Sequence, residues 1–145
     1  MVKFVSIIWL TLLFQQTNWN TDKTGVAVEG YDVVNYFSGT ASKGSEKFST
    51  KYDGVIFYFS SAANLSMFQS NPQKYAPQYG GYCAYAMGLN GEKVSINPKT
   101  YKITDGKLYL FYNSLGTNTL KPWNENELDL MKKADQNWQS KYLND

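Results

Sequence analysis

The single cysteine, Cys83, is the side chain with the richest chemistry in this chain of 145 residues. It follows the paired glycines Gly80 and Gly81, and Met87 lies four positions after it. Thiolate and thioether sulfur suit Cu(I), and residues four apart share a face wherever the chain is helical. Cys83 and Met87 are therefore candidate ligands for a soft metal ion, with copper as the candidate metal.

Two other interpretations of Cys83 are open. As a catalytic nucleophile it would serve a thiol oxidoreductase, because the thiolate is the reactive form of cysteine. The chain has no second cysteine to resolve an oxidised one, so oxidation would end at a sulfenic acid or a mixed disulfide. Alternatively, Cys83 only packs, since free cysteine is among the most buried residue types. The sequence thus leaves open whether the protein is an enzyme.

A set of aromatic, glycine and acidic residues could form a ligand site around the thiol. Paired glycines allow positive φ and a close approach of backbone amides to a ligand. The acid lies in an apolar segment, where a half-buried carboxylate could accept a proton or bind a metal, although capping of a turn is the favoured interpretation. The candidate ligand-binding residues are Tyr31, Asp32, Tyr79, Gly80, Gly81 and Tyr82.

Several classes of function are excluded by composition. The chain has no histidine, and its 14 basic residues are all lysine. Ser-His-Asp and Cys-His catalysis and histidine-ligated zinc are therefore impossible. The formal net charge is only +2 and no basic run stands out, so no nucleic-acid partner is expected. A small ligand or a metal ion is the expected partner.

The first 14 residues, MVKFVSIIWLTLLF, are typical of a secretory signal. One lysine precedes an apolar stretch that is short for a membrane span. We predict a signal peptide and leader over residues 1–20, with a cleavage point that the sequence does not locate, and one domain over residues 24–145. The mature protein is expected to be periplasmic or secreted, without stable membrane insertion.

The elements that must position these residues belong to a small α+β domain. Asp53-Gly54 and Asp105-Gly106 each separate two apolar runs, which predicts two antiparallel hairpins. A short central helix is predicted from Ser60 or Ser61 to Ser70, where Asn71-Pro72 ends it. Apolar residues at spacings of three and four, interrupted by Glu127 and Asp135, predict one long C-terminal helix over residues 123–142.

The order of these segments resembles that of the small, exported YHS domain-containing proteins. The resemblance rests on segments spread over the predicted mature chain, and YGGYCA is the most specific of them. The matching segments are Gly30–Phe37, Phe57–Ser61, Phe68–Tyr75, Tyr79–Ala84, Asp105–Leu110 and Lys133–Trp138.

The resemblance carries two implications for the site. YHS modules attached to heavy-metal transporters bind metal through cysteines, and the matching positions here are Asn35, Ser60 and Asn64. Hydroxyl and amide oxygens do not replace thiolates for a soft metal, so the resemblance does not supply that metal site. In some members of the exported group selenocysteine stands at the position of Cys83, which implies a reactive chalcogen there.

Overall fold

Two antiparallel hairpins, a third short hairpin and five α-helices make up the fold in the computed structural model, which describes residues 17–143. The strands pair as β1 with β2, β3 with β4 and β5 with β6. The strands are β1 (Ser45–Tyr52), β2 (Val55–Phe59), β3 (Asn97–Thr104), β4 (Lys107–Phe111), β5 (Asn113–Ser114) and β6 (Thr117–Asn118), and the helices are α1 (Ala62–Ser70), α2 (Pro72–Tyr75), α3 (Ala84–Leu89), α4 (Leu120–Glu125) and α5 (Glu127–Trp138). The predicted α+β class is confirmed.

Both predicted hairpins form at the expected turns. Asp53 and Asp105 have φ of 49° and 50°, and the glycine after each also has positive φ. Two successive residues with positive φ define the turn that matches the twist of paired strands. The third hairpin, β5–β6, turns in the same way at Leu115 and Gly116; the sequence analysis did not predict it because its strands have only two residues each.

Strand β4 separates two hydrophobic cores. Successive side chains of a strand point to opposite faces, and here both faces are covered. Leu108 and Leu110 belong to a first core with the aromatic residues of β2 and α1. Tyr109 and Phe111 belong to a second core with residues of α3, α4 and α5. The four residues are each at most 2% exposed, so β4 fixes the position of the helices relative to the hairpins.

The short central helix begins and ends where the sequence predicts. Ser61 precedes α1 in an extended conformation, and its hydroxyl accepts a hydrogen bond from the backbone of Asn64 at 3.1 Å. Pro72 then occupies the first position of α2, where a missing N–H costs no hydrogen bond. These residues place Asn64 on the first turn of α1, facing the loop that precedes β1.

The C-terminal helix differs from the prediction because it is broken at Asn126, whose φ of −148° and ψ of 47° are not helical. Trp123 lies on α4 and is completely buried against Phe111. Glu127 starts α5 and is held by Lys102 and by the hydroxyl of Thr104, both on β3. The break allows both contacts, and a π-helical turn over Gln139–Leu143 follows α5.

The N-terminal segment that precedes residue 24 is part of the packed structure. Trp19 packs edge-on against Phe57, with ring centroids 5.5 Å apart, and Asn20 donates its backbone N–H to Gly80 at 2.8 Å. Structural contacts thus extend further toward the N-terminus than the predicted domain boundary at residue 24. The predicted signal peptide and leader cover residues 1–20; residues 1–16 lie outside the described residues, whereas residues 17–20 belong to the packed segment.

No helix within residues 17–143 combines the length and the hydrophobicity that a membrane span requires.

Candidate functional site

Cys83 lies in the interior of the protein, immediately before α3, and its side chain is 0% exposed. Its sulfur accepts the backbone N–H of Tyr112 at 3.3 Å and lies 3.4 Å from the hydroxyl of Thr119. Its backbone N–H donates to Val94 at 2.9 Å. The thiol therefore has polar neighbours, but no surface that a reagent or a substrate could reach without local opening.

Met87, the other candidate soft ligand, is 0% exposed and belongs to the second core with Trp123 and Leu130. One thiolate and one thioether alone would make a weak site for a soft metal, so a further sulfur would have to approach. Met131 packs at the edge of the same core, whereas Met67 is 46% exposed on α1. Among residues 17–143 no group of three or more His, Cys, Asp or Glu side chains could hold a metal ion. The described residues thus offer no support for copper at Cys83 and Met87, and that site stays a prediction.

The positions that match the transporter-type metal ligands do come together, but around a carboxylate. Asp32 is 0% exposed, and one of its oxygens accepts the backbone N–H of Val34 at 2.9 Å. The other oxygen accepts the backbone N–H and the hydroxyl of Ser60 and the amide of Asn64, each at 2.8 Å. We call this group the Asp32 cluster; its members are Asp32, Asn35, Ser42, Ser60 and Asn64.

The hydrogen-bonding capacity of the Asp32 cluster is used within the protein. The amide of Asn35 donates to Ser42 at 2.7 Å and to Ser60 at 3.0 Å, and its oxygen accepts from Asn64 at 2.8 Å. Buried polar groups that are mutually satisfied stabilise a fold and leave little to offer a ligand. Asp32 thus caps a turn, as favoured from the sequence, and the cluster does not fit a soft-metal site.

The other candidate ligand residues divide between two places. Tyr31 is buried in the first core and pairs with Lys43 in an isolated bridge. Asp32 makes the bonds described above, none of them to Cys83. Tyr79, Gly80 and Gly81 form a 3-10 turn next to the second core. The six candidates therefore do not line one common pocket around Cys83.

The paired glycines hold the N-terminal segment. Gly80 has φ of +60°, and a Cβ placed on it would lie 2.1 Å from the backbone oxygen of Asn18. The side-chain amide of Asn20 donates to Gly81 at 3.2 Å, and that of Asn18 donates to the backbone oxygen of Tyr142. The paired glycines thus allow the backbone to approach the N-terminal segment closely, rather than a thiolate.

A cleft of about 900 Å³ opens where this segment meets the hairpins and α5. One wall is the segment 17–19 with the β1–β2 turn at Asp53-Gly54, the floor is Pro77–Gly80, and the opposite wall is the end of α5 with Asp135 and Trp138. Lys107, at the start of β4, also lines it. We call it the Tyr79–Asp135 cleft. Its volume is in the range of cavities that hold small organic molecules.

A tyrosine and a carboxylate form the central polar contact of this cleft. The Tyr79 hydroxyl donates to Asp135 at 2.8 Å, and the Tyr79 ring meets Trp138 edge-on with centroids 6.3 Å apart. Burial, followed by the hydrogen bond and the charge of Asp135, raises the pKa of Tyr79 well above its usual range. The Tyr79 hydroxyl therefore stays protonated and donates its hydrogen bond to Asp135 at physiological pH. Asp135 itself is exposed.

Beside the cleft, three aromatic rings surround one lysine. The Lys93 ammonium lies 4.3 Å from the ring centroid of Tyr142, 5.3 Å from that of Tyr82 and 6.0 Å from that of Trp138. It also donates to the side-chain oxygen of Asn18 at 3.1 Å. Burial lowers the pKa of Lys93. This lysine fixes Asn18 and thereby the N-terminal wall of the cleft.

Sequence reasoning found only part of this cleft. Tyr79 and Gly80 are among the predicted site residues, and Asp135 is visible as a charge in an apolar stripe, but Asn18, Asp53 and Trp138 are not among the predicted site residues. They come from distant parts of the chain, and no local pattern joins them. The signal that could have pointed to the cleft was the unexplained charge of Asp135 between apolar neighbours.

Comparison with models of protein families, with curated proteins and with solved structures finds no match for this chain. The resemblance to the YHS domain-containing proteins therefore stays a prediction from the motifs.

Proposed function

We propose that this protein binds a small polar organic molecule in the Tyr79–Asp135 cleft. The observation that carries the proposal is the combination of an open cavity of about 900 Å³ with aromatic walls and several polar side chains whose hydrogen-bonding capacity the described residues do not exhaust. Ligand sites are typically concave, with apolar walls and a few polar groups that orient the ligand. Binding at this cleft replaces binding around Cys83 as the leading hypothesis.

The unused polar groups distinguish this cleft from the Asp32 cluster. Within residues 17–143, the side chains of Gln78 and Lys107 make no hydrogen bond or ion pair. Asp53 uses one oxygen to accept the indole N–H of Trp19 at 2.8 Å, and Asp135 uses one oxygen for Tyr79. No described residue donates a hydrogen bond to the second oxygen of either carboxylate, so that oxygen can serve a ligand.

The proposal includes export of the protein, which the signal-like residues 1–14 favour and which residues 17–143 do not test. It requires that cleavage leaves residues 17–19 in place, because they line the cleft. Retention of a copper or thiol role for Cys83 would require access to a sulfur that is 0% exposed. Ligand binding at the surface cleft requires no such opening.

Binding can be tested by NMR with the indole N–H signals as reporters. A library of small neutral, cationic and anionic fragments is added to the ¹⁵N-labelled protein. We expect at least one fragment to shift the signals of Trp19 and Trp138 saturably, because both line the cleft. The signal of Trp123, buried in the second core, should stay in place.

A variant that fills the cleft provides the matched control. Gln78→Trp, on the cleft floor, should abolish these shifts, whereas Gln73→Trp, exposed on α2, should leave them unchanged. If no fragment moves the two indole signals, or if every binding fragment maps to another surface, the proposed function is wrong.

A further inference from the structure

We infer that the ligand of the Tyr79–Asp135 cleft is a neutral sugar, bound with its ring against Trp138 and its hydroxyls on the carboxylates, the amide and the ammonium of the cleft wall. This inference rests on the proposed function and names the chemical class of its ligand. It follows from the balance of charge, the mixture of donors and acceptors, and the aromatic surface.

The charges of the cleft argue against a strongly charged ligand. Asp53 and Asp135 contribute two negative charges and Lys107 one positive charge, and the Lys93 ammonium lies 6.0 Å from the Trp138 ring at the edge of the cleft. These charges balance, so neither an organic anion nor an organic cation gains a net electrostatic attraction that would offset the cost of burying its charge. A neutral molecule therefore fits the cleft best.

The unused groups match a ligand that both donates and accepts. The Asp53 and Asp135 oxygens accept only, the Lys107 ammonium donates only, and the Gln78 amide does both. A sugar hydroxyl can donate to a carboxylate and accept from an ammonium or an amide at the same time. Several hydroxyls on one ring therefore use donors and acceptors together, which an alcohol with a single hydroxyl or a ketone cannot do.

The aromatic wall provides the remaining part of the fit. Trp138 is half-buried and lines the cleft above Gly80, with Tyr79 and Tyr142 against it. The absence of a side chain at Gly80 matters here, because a Cβ would lie 3.2 Å from the outer edge of the Trp138 ring. A flat apolar surface next to polar groups suits the C–H face of a pyranose ring, whose hydroxyls lie around its edge.

The experiment titrates four classes of probe into the ¹⁵N-labelled protein. The first class is a panel of methyl glycosides and disaccharides of gluco, galacto, manno and xylo configuration. The others are choline as a cation, benzoate as an anion, and cyclohexylmethanol as a neutral ring with a single hydroxyl. We expect only members of the sugar panel to shift the indole signals of Trp19 and Trp138 saturably.

Two pairs of variants test the role of the polar groups. Asp135→Asn keeps an acceptor for Tyr79 but removes the charge, and should weaken sugar binding about tenfold; Asp129→Asn, exposed on the same helix, should not change it. Lys107→Met should weaken binding by a similar factor, whereas Lys99→Met, an exposed lysine on β3, should have no effect.

The outcomes separate the inference from the proposal on which it rests. If choline, benzoate or cyclohexylmethanol shifts the cleft signals and no sugar does, the inference is wrong and the proposed function stands. If neither these probes nor the fragment library shifts them, both are wrong. Sugar binding that is unaffected by Asp135→Asn and Lys107→Met would also overturn the inference, because the sugar would then bind elsewhere.

Discussion

Two aspartates in this protein have aromatic neighbours and accept hydrogen bonds, yet they differ in what they leave free. Asp32 is 0% exposed, and its two oxygens accept four hydrogen bonds from Val34, Ser60 and Asn64. Asp135 is exposed at a cleft and accepts a single described hydrogen bond, from Tyr79. The first carboxylate serves the fold and the second is available to a ligand. Residue type alone would not distinguish them.

The difference follows from where the donors come from. The partners of Asp32 are Ser60 just after β2, Asn64 on the first turn of α1, and Val34 in its own turn. The packing of β2 and α1 in the first core brings these donors to the carboxylate. Asp135 lies on the face of α5 that lines the cleft, and among the described residues only Tyr79 donates a hydrogen bond to it. A polar group becomes available for binding where packing stops before its hydrogen bonds are satisfied.

Removal of the saturated carboxylate should have the largest effect. Asp32→Ala removes the acceptor of two backbone N–H groups, one hydroxyl and one amide hydrogen at a fully buried carboxylate, and should lower the free energy of unfolding by about 3–5 kcal/mol. Urea denaturation measures this. Asp135→Asn is the comparison variant and should cost less than about 0.5 kcal/mol, as is usual for an exposed site. Similar losses in both variants would contradict the distinction between the two sites.

A smaller loss of stability is expected for a substitution of Gly80, which contacts segment 17–19 of the cleft. Gly80→Ala should lower the free energy of unfolding by about 3 kcal/mol, because it adds a clash with Asn18 to the strain of a left-handed backbone. Gly39 has φ of +88° and open space around it, so Gly39→Ala should show only the strain, about 1 kcal/mol. Equal costs would mean that segment 17–19 does not rest on Gly80.

Substitution of Cys83 should have the smallest effect on stability of the three buried positions, and it extends the comparison from carboxylates to a thiol. Like Asp32 it has polar partners and no exposure, so iodoacetamide should label it on the order of a hundredfold more slowly in the folded than in the urea-unfolded protein. Cys83→Ala should cost about 1–2 kcal/mol. Rapid labelling of the native protein would restore the thiol or metal hypothesis, since an accessible sulfur is what both require.

The parts of the fold that the sequence predicted are those with local causes. Asp53-Gly54 and Asp105-Gly106 determine their own backbone conformation, and Ser61 and Pro72 determine the ends of α1 and α2. The break at Asn126 could not be predicted in this way. It depends on Trp123 entering the second core and on Glu127 reaching β3, and both contacts join residues far apart in the sequence.

The candidate site was only partly predictable for the same reason. The turn at Tyr79 and Gly80 could be recognised as unusual, but its neighbour Asn18 lies about sixty residues earlier, and Asp135 about fifty-five residues later. Tertiary packing alone brings them together. Cys83 attracted attention through its chemistry, whereas its burial depends on contacts with Tyr112 and Thr119 that no pattern around the cysteine reveals.

The hydrogen bond between the Asn18 amide and the Tyr142 carbonyl joins residues 124 positions apart along one side of the cleft. Both ends of the described chain are therefore held at the same place. Any occupant that bridges the cleft stabilises this closure by mass action, and so couples its own affinity to the local opening of segment 17–19 and of the turn after α5.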